Sequence, residues 1–443
     1  MVKRGALSIA YATRAGSWRE RTLAAFVAAV LLDACSGGTA TNPFVSRSTV
    51  ANATSQSWRT DTPIFKLFHG RDLGPHHFNV LYDFGPLPDG NGPLGGLIDV
   101  NGTLYGTTFL GGAYAREHTH GTVFSITLGG KEKVLHSFGE IYTDGYAPVA
   151  PLVDVKGALY GTTESGGAYY QSSGASGTVF IIKTSGKEKV LHSFRGGTDG
   201  ANPVAGLIDV KGTLYGTTYW GGVYGGGSGG GYGGGTVFTI TPSGAENVLH
   251  SFGSSADGSQ PWAALIDVDG TLYGTTQYGG TYNGGTVFSI TPRGKEKVLH
   301  SFRGGADGAY PVAGLADVNG MLYGTTEYGG TYDDGTVFSI KLSGAEKTLH
   351  SFNGTDGADP TASLICVKGR LYGTTAVGGA SNDGTVFSVT ISGNEKVLHS
   401  FTGGTNGYAP DAPLIDVNGT LYGTTYTGDS RGDGGGNVFA LIP

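Results

Sequence analysis

Apolar residues along this chain come in short runs of Val, Ile, Leu, Tyr and Phe, and each run is closed by Gly, Asn, Asp, Ser or Pro. Runs this short, bounded by turn formers, predict β-strands. No segment shows the amphipathic period of a long helix, and none reaches the roughly 18 apolar residues needed to span a bilayer. The pattern also recurs. Leu-Tyr-Gly-Thr-Thr appears seven times, at Leu104–Thr108, Leu159–Thr163, Leu214–Thr218, Leu272–Thr276, Leu322–Thr326, Leu371–Thr375 and Leu421–Thr425. Successive copies lie 55, 55, 58, 50, 49 and 50 residues apart. A period of this length marks a unit that cannot bury its apolar faces alone and stacks on its neighbours.

Each unit reads as four strands. In the copy from Leu265 they are Leu265–Val268, Thr271–Thr276, Thr286–Ile290 and Lys297–Phe302. The first two are joined by a two-residue turn, Asn-Gly, Asp-Gly or Lys-Gly in every copy, such as Asn101-Gly102 and Asp269-Gly270. A type I′ hairpin needs positive φ at both positions, which Asn-Gly and Asp-Gly supply most readily. Short turns such as Pro292-Arg293-Gly294-Lys295 join the last two strands into a second hairpin. Four antiparallel strands per unit, seven times over, predict an all-β fold, a seven-bladed β-propeller of four-stranded blades. Both chain ends fit. The repeats open at Asn79–Phe84 with an outer-strand piece that has no blade before it, and close at Asn437–Leu441 with a third-strand piece that has no outer strand after it. The N-terminal strand is therefore expected to complete the last blade. Lys-Glu-Lys at the entry of the outer strands protects the edges, and the Gly of Leu-Tyr-Gly is expected to leave a hollow that a bulky side chain of the next blade fills.

Composition adds the setting. Of 443 residues 82 are Gly, and only 14% are charged. Residues 1–34 read as a signal peptide: Lys3, Arg4, Arg14, Arg19 and Arg21 precede an apolar core at Leu23–Leu32. Leu32-Asp33-Ala34-Cys35 resembles a bacterial lipobox, which implies a lipid anchor on Cys35; an ordinary secretory signal is the alternative. Residues 35–78 read as a Ser/Thr-rich tether, and 79–443 as the propeller. Ser36 rather than Asp after the Cys favours the outer membrane or cell surface over inner-membrane retention; a periplasmic or secreted protein is the alternative. Cys366, the only other cysteine, reads as a small buried hydrophobe in a strand. From Cys35 onward, 23 Lys and Arg face 33 Asp and Glu, a net of −10. Such a balance excludes nucleic acid as a partner. Membrane contact is expected only through the lipid, and the protein as a monomer.

Residues that recur in every unit read as structural. The histidines of Leu-His-Ser-Phe (His136, His192, His250, His300, His350, His399) lie in different blades, so each is expected to hydrogen-bond a neighbouring strand or loop. The Asp of the first strand and the Asp-Gly-x-x-Pro loops read as turn and blade-linking elements. His118, His120 and Glu117, the pair Asp429 and Asp433, and the pair Asp333 and Asp334 read as solvated loop residues rather than metal ligands. No cofactor is implied.

The succession Leu-Tyr-Gly-Thr-Thr, Gly-Gly, Gly-Thr-Val-Phe-Ser-Ile and a Leu-His-Ser-Phe strand, as in Leu322–Phe352, resembles the GloVer (gloeo/verruco) tandem repeats of exported, anchored bacterial proteins. The resemblance covers residues 79–443 and implies no catalytic residues.

The expected function is a non-catalytic binding or interaction scaffold at the cell envelope, with carbohydrate or an envelope protein as partner. Strand direction puts the long connections on one face, which collects Trp220, Tyr224, Tyr278, Tyr282, Tyr328 and Tyr332 as candidate ligand contacts. A hydrolase or lyase acting on polysaccharide is the alternative, with Glu164 and Glu327 at loop starts.

Overall fold

The computed structural model describes residues 77–115, 120–169, 177–224, 233–253, 256–428 and 435–443. Within them the chain forms seven four-stranded antiparallel blades. Blade 1 consists of Ile98–Val100, Thr103–Thr108, Thr122–Thr127 and Glu132–Ser137, from inner to outer strand. Blades 2 to 6 repeat this order. Blade 7 takes its inner three strands from Ile415–Val417, Thr420–Thr425 and Asn437–Ile442, and its outer strand, β1 (His77–Asp83), from the other end of the described chain. The register sets Phe78 against Leu441, Val80 against Phe439 and Tyr82 against Val438. The inner strands of blades 7 and 1 then meet beside the axis and close the ring.

The repeated motif explains why a blade needs its neighbours. Side chains alternate across a strand, so Leu104 packs into the seam with blade 7 while Tyr105 packs into the seam with blade 2. The hydroxyl of Thr107 donates to the Ala150 carbonyl of the next linker at 3.0 Å. Thr108 meets Thr122 of the third strand at 2.8 Å. Gly106 lies opposite Phe124, and a Cβ there would stand 2.6 Å from the phenylalanine ring. The hollow is thus filled by the third strand of the same blade, together with Leu97, and not by the next blade as the sequence suggested. The reason is register: glycine and phenylalanine are direct cross-strand partners, so the ring folds over its own sheet. Seven apolar clusters result among the described residues, each shared by two blades.

The short turns behave as their residues require. Asn101 and Gly102 have φ of 54° and 80°, and the equivalent pairs in the other blades are also positive. Asp99 accepts from Gly102 N–H at 2.9 Å. Each histidine of Leu-His-Ser-Phe pairs with the Asp or Asn of the linker that follows it, from His136–Asp144 at 3.2 Å to His399–Asn406 at 2.9 Å. Tyr82 does the same with Asp89, at 2.7 Å. The linker aspartates also cap backbone, Asp307 accepting from Arg303 N–H at 2.8 Å.

Because strands alternate in direction, both tight turns of every blade share one face. The second-to-third-strand loops and the linkers share the other. Single β-bridges join six linkers to the loop start of the blade each enters, as in Ala201 with Trp220 and Ala309 with Tyr328, and at blade 1 Gly90–Asn91 pairs with Leu110–Gly111.

A candidate ligand-binding site at the mouth of the ring

On the loop face, three positions per repeat meet around the axial opening. One is the residue after Leu-Tyr-Gly-Thr-Thr, and the other two flank the linker proline. The residue before each proline is held with positive φ, as at Asn202 (53°), Gln260 (59°), Tyr310 (56°) and Asp359 (51°). Such a conformation costs about 1–3 kcal/mol for a non-glycine residue and tends to persist where function retains it. It survives here because its carbonyl accepts the N–H of the loop-start residue, as between Asn202 and Tyr219 or Tyr310 and Glu327, both at 3.0 Å. The proline then directs the chain to the innermost strand.

These positions break the sevenfold symmetry. Across blades 3 and 4 the mouth is aromatic and amide-rich. Tyr219 is buried and its hydroxyl stands 3.2 Å from Gln260 Oε1 and 3.1 Å from Gln277 Oε1. Its ring meets Trp220 at 4.6 Å and Trp262 at 5.0 Å. At blade 5, Tyr310 lies between Tyr278 and Tyr328, at 5.1 and 5.8 Å, beside the buried Glu327. Blades 6 and 7 are acidic. Thr361 donates to Asp411 at 2.9 Å, and both are buried. Burial, then the charges of Asp334, Asp411 and Asp333, push the Asp359 carboxyl up to about 6. Burial, with Asp411 and Tyr408 adding to it, pushes Tyr426 up to about 12. Across the ring in blade 2, burial raises Glu164 to about 7, and Asn202 donates to its backbone carbonyl at 3.1 Å.

The six aromatic residues singled out from sequence divide evenly. Trp220, Tyr278 and Tyr328 are half-buried and belong to the mouth through their contacts with Tyr219 and Tyr310. Tyr224, Tyr282 and Tyr332 are 60%, 54% and 59% exposed and stand farther out. Tyr282, for instance, lies under the Arg303 guanidinium at 5.3 Å, beside the end of an outer strand. Asp333 accepts from Gly329 N–H at 3.2 Å, a turn role. Burial lowers the pKa of His120, whose ring meets Tyr146 at 5.8 Å. Cys35, Glu117, His118, Asp429, Asp433 and residues 225–232 lie outside the described residues. Sequence reasoning missed Trp262, Tyr310, Asp359 and Asp411. The signal was available: these are positions where otherwise uniform repeats disagree, one residue from an invariant Thr-Thr or Pro.

Solved structures are similar in fold at low identity. A crystal structure of virginiamycin B lyase from Staphylococcus aureus shares 14% identity at a TM-score of 0.53, over 83% of this chain and 99% of that chain. A gluconolactonase from Xanthomonas campestris shares 13% at 0.38, over 62% and 84%. The acylaminoacyl peptidase of Pyrococcus horikoshii shares 10% at 0.42, over 76% and 49%. At 14% identity the likeness to the lyase speaks to fold alone. No curated protein matches the sequence. The Gloeobacter/Verrucomicrobia repeat matches residues 54–228 and 224–439, nearly all of the repeat region, and the chain belongs to that family.

Proposed function

We propose that this protein is an exported, non-catalytic binding scaffold, anchored through Cys35, that takes a carbohydrate at the mouth of the ring. The observation that supports this reading is the arc from Trp262 through Tyr310 to Asp359, where aromatic faces stand beside amide and carboxyl groups at the divergent positions. Flat rings with polar edges suit the apolar faces and hydroxyls of a sugar. Screening the purified protein on a glycan array, followed by titration calorimetry on the best hit, tests it. Trp262→Ala and Tyr310→Ala are each expected to weaken binding at least tenfold, about 1.4 kcal/mol. Tyr282→Ala, on the rim, is expected to leave affinity within about threefold, near 0.6 kcal/mol. Equal affinities for all three variants would defeat the reading.

A second reading rests on the raised carboxyl groups. Glu164 and Asp359, shifted to about 7 and about 6, keep a proton available near neutrality, as a general acid requires. Polysaccharide turnover that disappears in Glu164→Gln or Glu327→Gln would establish the enzyme over the scaffold.

A further inference from the structure

The blade seams carry a second pattern at the outer wall, away from the mouth. In blades 1 to 6 the glutamate that opens the outer strand turns towards the preceding blade, and one carboxyl oxygen of each (Glu132, Glu188, Glu246, Glu296, Glu346, Glu395) is enclosed without a hydrogen-bond partner. Facing it are the linker aspartate and the residue paired with that aspartate. The latter is histidine at five seams and Tyr82 at the seam between blades 7 and 1. At four seams the histidine nitrogen and both carboxylates lie within 4.8 Å of one another. At such distances two carboxyl groups sit together favourably when one carries a proton that the other accepts.

The remaining seam is the informative exception. There β1 brings Phe78 to the glutamate's place, opposite Leu441, and the linker residue is Asn406. His399 stays, 2.9 Å from Asn406 Oδ1, and stacks on Phe78 at 3.8 Å. Glutamate and aspartate are therefore present together at six seams and absent together at one. Tyr82 points the same way. It replaces histidine while both acids remain, and its hydroxyl donates to Asp89 at 2.7 Å. A hydrogen-bond donor is what this position retains, whereas a cation site would have lost its imidazole ligand.

We propose that the four blade seams where histidine, aspartate and glutamate converge are each fastened by one proton shared between the outer-strand glutamate and the preceding linker aspartate, so that the ring tightens in mild acid and loosens as these protons leave.

Burial is the main cause of proton retention. It raises the outer-strand glutamates to about 7, and Glu188 to about 8. The facing charges come from two elements of the preceding blade: its linker aspartate, which reinforces the shift, and its outer-strand histidine, which opposes it at Glu246, Glu296 and Glu395. At Glu132 the facing groups are Asp89 and Tyr82, and at Glu346 Thr348 also contributes a hydrogen bond. On the glutamates' own strand the neighbouring lysines, such as Lys187 and Lys189, alternate to the exposed side, and the third strand presents apolar partners such as Ile182. Folded values lie above the ordinary 4.5, so the contribution is complete below that pH and is lost as pH rises through about 7 to 8.

Urea midpoints of the full chain, measured from about pH 5 to about pH 9, test this. Glu164 and Asp359 shift in the same direction, so the comparison between variants decides. The wild-type midpoint is expected to fall across the range. In the triple variant Glu188→Gln, Glu246→Gln, Glu346→Gln the amides donate to aspartate at every pH, and the fall is expected to shrink by roughly a third to a half. Single Glu346→Gln keeps the acid-range midpoint and flattens by one seam's share, whereas Glu346→Ala lowers the midpoint throughout. This pair carries the test if the triple variant does not fold. An undiminished fall in the glutamine variants would overturn the proposal. So would stoichiometric zinc or manganese in the purified protein whose removal by chelation lowers the wild-type midpoint.

Discussion

Phe84→Ala is expected to destabilise the protein by about 3–5 kcal/mol, the usual loss for a phenylalanine in a closed core. Phe84 directly follows β1 and is fully buried between blades 7 and 1, with its ring 5.1 Å from Phe124 and 5.3 Å from Tyr82. Phe138 holds the equivalent place between blades 1 and 2 and is equally buried. Phe138→Ala is therefore the matched control, with a similar expected loss. Urea unfolding followed by tryptophan fluorescence measures both. A full loss for Phe138→Ala beside less than about 1 kcal/mol for Phe84→Ala would mean that β1 does not close the ring in solution.

The second large effect concerns the glycine of the repeated motif. Gly324→Val is expected to cost about 3 kcal/mol through overpacking. A Cβ at this position already lies 2.6 Å from the Phe338 ring and 3.0 Å from Leu315, and two further methyl groups have nowhere to go. Phe338 is completely buried and cannot swing away. Gly320→Ala, in the tight turn just before, isolates the backbone contribution. Its φ is 77° and nothing lies within 4 Å of an added Cβ, so about 1 kcal/mol is expected from conformation alone. Equal losses at the two sites would refute the packing account of the invariant glycine.

The architecture was legible because its determinants recur. Seven copies of Leu-Tyr-Gly-Thr-Thr made the blade count plain, the Asn-Gly and Asp-Gly turns fixed the first hairpin, and the unmatched strands at the two ends announced β1. The candidate site was harder to see for the opposite reason. Asp359, Tyr310 and Trp262 stand where the repeats differ, and attention to the shared motif passes over them. Distance along the chain hid the seams as well. His136 and Asp144 are close in sequence, but Glu188 completes their group from the following repeat. The glycine hollow was assigned to the wrong partner because strand register, which pairs Gly106 with Phe124, is not written in the motif itself.

Near-identical blades pose a problem of address: a free outer strand must find one third strand among seven that look alike. The stack of Phe78 on His399 supplies the answer. Docked on any other blade, β1 would lay an aromatic ring beside the aspartate that a glutamate normally faces, and that aspartate would keep only its histidine and backbone partners. A glutamate-bearing strand arriving at blade 7 would meet Asn406, an amide whose oxygen is already engaged by His399, in place of a second carboxyl group. Each wrong pairing replaces a matched contact with a poorer one in a half-buried seam. Phe78 and Asn406 thus set this seam apart from the others, and exchanging them for the common residues, Phe78→Glu with Asn406→Asp, is expected to remove that distinction.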